Sequence, residues 1–287
     1  MTTPDTLTLA EVRGPSAFGG GWRRFVHLTW VISRTDYKLT YFGSILGYVW
    51  SFMQPLLFFG VLYVVFALII TTISKGVKDF PVLLLMNIVL FSFFQQATSA
   101  SVSSLVLREG IVRKMHFPRL VIPLATVTTA AINLIFNLVV VLLFMLFYGV
   151  SPRWSWLGLP LILVALFVLV TGTAMLLSSL YVRYRDIAPI WGVVAQALYF
   201  ATPVFIVINN ILPHGQTVTR LYLFNPLATI LQQARHWMIG GVNGGLSPAT
   251  YMGGAVWLLV PLGLIVVIWV LGFWVFSREA PRVAEEL

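Results

Sequence analysis

Residues 120–152 read LVIPLATVTTAAINLIFNLVVVLLFMLFYGVSP, a run of 33 residues without a single charged side chain. About 20 consecutive apolar residues are enough for a helix to cross the hydrocarbon core of a bilayer. The run is continuously apolar rather than alternating, which favours a helix over a strand of a membrane barrel. This stretch therefore predicts a transmembrane helix.

Five further uncharged stretches have the same character. Trimmed to their apolar centres, the six stretches predict helices near residues 46–72, 81–106, 120–149, 156–181, 188–209 and 254–276. We therefore predict an all-α integral membrane protein with six transmembrane helices. Its parts are expected to be a cytoplasmic tail (1–20), an amphipathic interface helix (21–42), the transmembrane domain (43–277) and a second cytoplasmic tail (278–287).

The composition excludes a water-soluble enzyme or binding module. Of the 287 residues, 59% are hydrophobic and 9% are charged, and the mean hydropathy is +0.92, whereas soluble domains carry about 25% charged residues. Because the chain has no cysteine, disulfides and thiolate metal sites are excluded. The net charge of +9 is attributed to basic cytoplasmic loops, and no nucleic-acid partner is expected.

The distribution of Lys and Arg predicts the direction of the chain. With six crossings, 13 of these residues fall on the side of both termini and 5 fall on the other side. Basic loops stay in the cytoplasm. We therefore expect both termini to be cytoplasmic, in a multi-pass protein of the inner (cytoplasmic) membrane.

The segment GWRRFVHLTWVISRTDYKL before the first span has two faces at helical spacing. A basic arc opposite apolar residues is typical of a helix in the membrane interface, and a plain positive-inside anchor is the alternative. Asp36 falls on the apolar side, so we expect it to pair with Arg34 or with a cation from another loop. The basic arc comprises Arg23, Arg24, His27, Arg34 and Lys38.

Residues 107–119, LREGIVRKMHFPR, form a short charged loop between the second and third predicted helices. Pro118 limits any helix there and turns the chain back toward the membrane. Such a segment, held between two spans, is suited to receive force from a soluble subunit. An ordinary solvated hairpin is the alternative.

The stretch FNPLATILQQARHWMIGG, within the external segment 209–253, predicts a short additional helix. Asn225 is a typical N-cap, Pro226 suits the first helical position, and the glycines at 240–241 end the helix. At about 15 residues it is too short to span comfortably, so we expect it to re-enter the membrane or to lie on the outer leaflet as a gate. A passive surface helix is the alternative. The side chains expected to face away are Thr229, Gln232, Gln233, Arg235 and His236.

The sequence contains no nucleotide-binding or catalytic motif. It has no GxxxxGK[ST], no HExxH and no GxSxG, and its nine acids lie outside the central spans. Ion-coupled transporters usually carry an intramembrane acid or histidine, or helices broken at the midplane. We therefore expect a transport protein that is not an enzyme, binds no metal or other cofactor itself and takes its energy from elsewhere.

Polar and aromatic side chains within the spans are candidates for a substrate path. Amides and hydroxyls either contact a hydroxyl-rich substrate or hold helices together. An aromatic face in the first span either stacks on sugar rings or packs against core and lipid. The channel candidates are Tyr48, Phe52, Phe59, Tyr63, Phe66, Gln95, Gln96, Gln196 and Tyr199. Toward its cytoplasmic half the second span adds hydroxyls at Thr98, Ser99, Ser101, Ser103 and Ser104, and the third span adds a polar face of Thr126, Thr129, Asn133 and Asn137.

Four motifs resemble the permeases of polysaccharide-export ABC transporters, the type-2 export class that moves O-antigen, capsule, galactan or teichoic acid precursors. They are RTDYKLTYFGSILGYVWSFMQPL, IVRKMHFPRLVIPL, YVRYRDIAPIWGVVAQALYFATPV and FNPLATILQQAR. The motifs occur in the family's order and cover residues 34 to about 240.

The resemblance implies a homodimer with a central channel, joined by two copies of a separate ATPase subunit that binds ATP and Mg²⁺. A lipid-linked polysaccharide would enter from the cytoplasmic leaflet and leave on the other side, through a protein embedded in membrane lipids. Segment 22–38 would be the interface helix, 108–118 the coupling helix, and Asn225, Pro226 and Arg235 part of the external gate. The expected ATPase contacts are Arg34, Asp36, Lys38, Arg108, Glu109, Arg113, Lys114, His116, Arg183, Arg185 and Asp186.

Two competing interpretations remain open. One is a type-2 permease for drugs or lipids, which shares the fold. The other is a transporter that does not use ATP, or a membrane enzyme.

Overall fold

The computed structural model describes residues 21–41, 47, 49–69, 79–110, 118–204, 208, 211, 215–240 and 245–279. All regular structure in these ranges is helical. Four predicted site residues lie outside the described residues, together with most of the predicted coupling segment. They are Tyr48, Arg113, Lys114 and His116.

The described ranges contain eleven α-helices. These are α1 (Trp22–Tyr41), α2 (Val49–Tyr63), α3 (Phe80–Val102), α4 (Ser104–Leu107), α5 (Val121–Phe147), α6 (Leu159–Arg183), α7 (Ile187–Phe200), α8 (Gln216–Phe224), α9 (Pro226–Ile239), α10 (Pro248–Met252) and α11 (Leu259–Glu279). A π-helical turn, Val64–Ile69, extends α2. Turns of 3₁₀-helix, Trp154–Gly158 and Ala255–Leu258, lead into α6 and α11.

Five helical units of the described chain are long and apolar enough to cross a membrane. They are Val49–Phe66, Phe80–Val102, Val121–Phe147, Trp154–Arg183 and Ala255–Glu279, and each overlaps a predicted helix. The predicted helix 188–209 is instead α7, which has 14 residues. At about 21 Å, α7 is shorter than the roughly 30 Å hydrocarbon core. The prediction of six complete spans is therefore not confirmed for the described residues.

α7 ends early because the chain turns at residues 201–204, where Pro203 lacks an amide hydrogen. Nδ2 of Asn87 on α3 donates to the carbonyl oxygens of Pro203 and Val204, at 2.8 and 3.2 Å. Asn87 is only 1% exposed. Because a buried carbonyl without a partner is costly, this amide makes a break in α7 tolerable inside the core.

α3 is the central helix of the bundle. It packs against α2, α5, α6, α7 and α9, and most of its side chains are buried. α11 packs along α6. By contrast, few residues of α2 and α11 are fully buried within this chain, as is typical of helices that face lipid or another membrane-embedded chain.

α1 packs along α5, with one side buried. Ser33 Oγ lies 3.0 Å from the carbonyl oxygen of Ala125 on α5, and Thr129 Oγ1 lies 3.3 Å from that of Ser33. Each hydroxyl also donates to a closer carbonyl on its own helix, at 2.6 and 2.9 Å. The basic residues of α1 are exposed, as predicted. The apolar side is divided, however, because Phe25 is buried while Trp22 is exposed. α1 is therefore docked on the bundle as well as amphipathic.

Candidate functional site

A polar cavity of about 540 Å³ lies between α1, α3, α4 and α5. Six of its twelve lining residues carry a hydroxyl or amide side chain, two form an ion pair, and four are Leu or Ala. On α5, Thr126, Thr129 and Asn133 follow one another at spacings of three and four residues, which puts them on one side of the helix. The lining residues are Asp36, Leu39, Thr40, Gln96, Ala100, Ser104, Leu107, Arg108, Thr126, Thr129, Ala130 and Asn133.

Asp36 and Arg108 form an ion pair at the partly exposed edge of this cavity, through Oδ2 of Asp36 and Nη2 of Arg108. The two side chains are 28% and 21% exposed. The expectation that Asp36 pairs with a cation is confirmed, and the cation comes from another segment rather than from Arg34. The pair joins α1 to the turn that follows α4.

A second cavity, of about 430 Å³, lies between α2 and α3, with Gln54 and Gln95 in its wall. Gln96 borders both cavities, and it also borders a small gap of about 10 Å³ that reaches Asn137. The two cavities therefore share Gln96 in their walls. We call the polar residues of these cavities and of the gap the polar groove, which comprises Asp36, Thr40, Gln54, Ser92, Gln95, Gln96, Ser99, Ser104, Arg108, Thr126, Thr129, Asn133 and Asn137.

The predicted aromatic face of the first span packs against α5. The ring centroids of Phe52 and Phe136 are 6.1 Å apart, and those of Phe59 and Phe144 are 5.6 Å apart. Tyr63 stacks on Phe59 at 5.7 Å. Within this chain the arrangement matches the core-packing alternative, while a role in stacking on sugar rings stays a prediction.

The other predicted channel residues divide between groove, core and surface. Gln95 and Gln96 belong to the polar groove, and Phe66 packs on the main apolar core. Tyr199 is buried on α7, with its ring 4.9 Å from that of Phe91. Gln196 is exposed on the same helix.

Most of the other predicted ATPase contacts that the structure describes are exposed. Two guanidinium groups lie over aromatic rings, Arg183 over Tyr184 at 5.4 Å and Arg185 over Tyr181 at 5.1 Å, which holds the cations at the end of α6. Glu109 is half-buried beside the ion pair. The exposed residues are Arg34, Lys38, Arg183, Arg185 and Asp186.

The helix predicted after Asn225 is confirmed as α9. Oδ1 of Asn225 accepts a hydrogen bond from the amide two residues further on, at 3.0 Å, and Pro226 opens the first turn. The helix ends at Gly240, whose φ of +95° favours glycine. Near this end, Trp156 Nε1 donates to the carbonyl oxygen of Met238 at 2.8 Å, which fastens α9 to the start of α6.

The polar side of α9 is buried, so the prediction that it faces away is wrong. Gln232 and Arg235 are 1% and 2% exposed. Nε2 of Gln232 donates to the carbonyl oxygen of Leu246 at 3.0 Å, and Nδ1 of His236 lies 2.9 Å from that of Gly245. The chain beyond α9 folds back over this side, and burial lowers the pKa of Arg235 to about 10. α9 is therefore not a surface helix.

The sequence patterns do not identify three residues of the polar groove. Gln54 could have been identified from the sequence, because an isolated amide in an otherwise apolar span is unusual. Nothing in the sequence distinguishes Thr40 and Ser92, since hydroxyl residues commonly form hydrogen bonds within their own helix. Their place in the groove follows from the contacts of α1, α2 and α3 with α5.

Comparison with known proteins extends these observations. The sequence profile of the ABC-2 type transporter family matches residues 27–239. The O-antigen export system permease protein RfbA of Klebsiella pneumoniae is 27% identical over 82% of this chain and 89% of its own length. A second protein of that name from the same species is 26% identical over the same shares. The protein of that name from Myxococcus xanthus is 24% identical over 68% of this chain and 74% of its own length.

Proposed function

Because this chain belongs to the ABC-2 type transporter family, we propose that it is the membrane permease subunit of an ATP-driven exporter of lipid-linked polysaccharide. The three relatives are named as O-antigen export permeases, which supports a glycan of the O-antigen or galactan kind as the substrate.

The observation that carries the proposal is the polar groove. Its amide side chains offer both donors and acceptors. Its hydroxyl oxygens offer acceptors, because Thr40, Thr126 and Thr129 donate within their own helices. Such groups suit the hydroxyl groups of a sugar. Along α5 the polar residues extend from Thr126 to Asn137, about 16 Å at 1.5 Å per residue, so the groove covers about half of the hydrocarbon core.

The energy source is proposed to be a separate ATPase subunit. This sequence has no phosphate-binding loop, and an ABC transporter permease acts together with such a subunit. We infer two ATPase copies on a homodimer of this chain, with ATP and Mg²⁺ held by the ATPase. The exposed apolar surfaces of α2 and α11 support burial against lipid or a second copy.

The ATPase contacts would lie on the side of α1 and of the turn after α4. The exposed cations of α1 and the exposed residues between α6 and α7 support this surface. Force applied to segment 108–118 would reach the groove directly, because Arg108 lies in its lining.

We further propose that both termini face the cytoplasm in the inner membrane and that α9 is a re-entrant gate helix near the external surface. The Lys and Arg distribution supports this orientation. The cysteine-free chain allows a direct test with single cysteines. Arg24→Cys should react with an impermeant maleimide only after the cytoplasmic side is opened. Trp154→Cys, at an 89% exposed position, should react in intact cells; the reverse pattern contradicts the orientation.

The central experiment is purification of the chain from its native membrane in mild detergent, with identification of the soluble proteins that remain bound. We expect a stoichiometric ATPase with a phosphate-binding loop, and accumulation of lipid-linked glycan in cells that lack this chain. Glu109→Gln and Arg113→Gln should weaken ATPase association, whereas Arg153→Gln, expected on the opposite side, should not. Repeated absence of an ATPase, or normal glycan export without the chain, would contradict the proposal.

A further inference from the structure

The edge of the first cavity changes in chemical character from the surface inward. Leu39 and Leu107, which are 65% and 79% exposed, form its apolar outer part. The ion pair of Asp36 and Arg108 comes next, and the half-buried Asn133 lies in the polar wall on α5. An apolar region, a cation and a hydrogen-bonding wall therefore adjoin one another.

Arg108 has hydrogen-bonding capacity that Asp36 does not use. Its Nη2 holds the carboxylate, whereas its Nη1 is buried and has no hydrogen-bond partner among the described residues. A buried donor without an acceptor is costly. A guanidinium fork also binds two phosphate oxygens as readily as two carboxylate oxygens. Among the described lining residues, Asp36 is the only acid that competes for this cation.

We propose that Arg108 binds the phosphate group of a lipid-linked substrate, which replaces the carboxylate of Asp36 as the substrate enters the cavity. The inference rests on the proposed function, because a glycan carried on a lipid through a phosphate ester presents a matching order of groups. Its tail would meet Leu39 and Leu107, its phosphate Arg108, and its sugars the wall of α5.

The exchange has a mechanical consequence. Asp36 belongs to α1, whereas Arg108 belongs to the chain between α3 and α5. Replacing the carboxylate with a phosphate breaks a link between these two segments. Substrate entry would therefore release α1 from the segment proposed to receive force from the ATPase.

The test is a titration of the purified full-length chain in dodecyl maltoside with dodecyl phosphate, followed by the thermal unfolding midpoint, which rises when a ligand binds the folded state. Asp36→Asn should bind dodecyl phosphate about tenfold more tightly than the wild type, because the competing carboxylate is gone. Arg108→Gln should bind it at least about tenfold more weakly. Arg278→Gln, which removes a cation stacked on Trp274 outside the cavity, should bind like the wild type.

The opposite effects of the two variants distinguish a binding site from a structural ion pair. If the pair is only structural, both variants bind dodecyl phosphate like the wild type, and the proposal is overturned. If Arg108→Gln does not fold, Arg108→Lys replaces it; this variant keeps the charge but loses the fork, and wild-type affinity there would overturn the role of the fork.

Inorganic phosphate provides the parallel titration. A shift that requires the dodecyl chain supports a lipid phosphate, whereas an equal shift with inorganic phosphate overturns the lipid assignment. No ATPase takes part in these measurements. Failure here therefore leaves the permease assignment intact, and the absence of a co-purifying ATPase would overturn that assignment alone.

Discussion

Gly172 of α6 and Gly272 of α11 lie in backbone contact, so close that a Cβ on Gly272 would overlap the carbonyl group of Gly172. Helices in a bilayer associate through such close packing, because lipid tails are as apolar as the side chains. This contact lies within the interface along which α11 packs on α6.

Alanine at this contact should therefore destabilise the bundle. We expect Gly272→Ala to lower the free energy of unfolding by about 1–3 kcal/mol, as overpacking does in cores. Thermal or denaturant unfolding in detergent measures the change. Gly263→Ala is the matched control on α11, because no atom lies within 4 Å of its Cβ. Equal destabilisation by the two variants would show that the α6–α11 contact is not responsible.

The docking of α1 on α5 should depend on the buried hydroxyl of Ser33. Ser33→Ala removes the hydroxyl that is shared between the carbonyl oxygens of Thr29 on α1 and Ala125 on α5 and should cost about 1 kcal/mol. Hydrogen exchange of the backbone amides of α1, measured by mass spectrometry, should then be about fivefold faster, provided that exchange occurs through local undocking of the helix. Thr35→Ala is the control on the same helix, because this exposed hydroxyl bonds only within α1. Unchanged exchange in Ser33→Ala would contradict the docking role.

The network that covers α9 should be sensitive to a side chain at Gly245. This residue has φ +81°, and a Cβ there would lie 2.8 Å from the Tyr251 hydroxyl and 3.0 Å from Gln232 Nε2. Gly215→Ala is a matched control, since its φ is +103° and its Cβ has open space. Both substitutions place a residue other than glycine at positive φ, at a backbone cost of about 1–3 kcal/mol. We expect Gly245→Ala to lower the unfolding temperature more than Gly215→Ala does, because only the former also overlaps the network. Equal decreases in the two variants would exclude a role for the network.

Gln96 borders both cavities of the polar groove, so its amide should matter for transport. We expect Gln96→Leu to reduce glycan export about tenfold, because one or two hydrogen bonds of roughly 1 kcal/mol each are lost. The fold should be unaffected, since Gln96 is exposed within the chain. Export is measured as surface glycan per assembled complex, with unfolding temperature and ATPase association as controls. Normal export by Gln96→Leu would show that the groove is not part of the substrate path.

Much of the secondary structure could be predicted from local sequence. Five spans were predictable because each needs only a long apolar run. α9 was predictable because Asn225, Pro226 and Gly240 cap its two ends. The length of α7 was not predictable, although Pro203 lies three residues beyond its last residue, Phe200. The carbonyl groups of Pro203 and Val204 lie beyond the end of α7, and in the core they need a donor from a distant segment, which is Asn87.

By itself, the sequence determined that the chain is helical and membrane-embedded, where five of its spans lie and how α9 is capped, because hydropathy and capping act between near neighbours. Only the tertiary structure decided the pairing of Asp36 with Arg108, which are 72 residues apart, the place of Gln96 in the walls of two cavities, and the burial of Arg235. The physical reason is that a polar side chain in an apolar setting must find a partner, and folding determines which distant segment provides it.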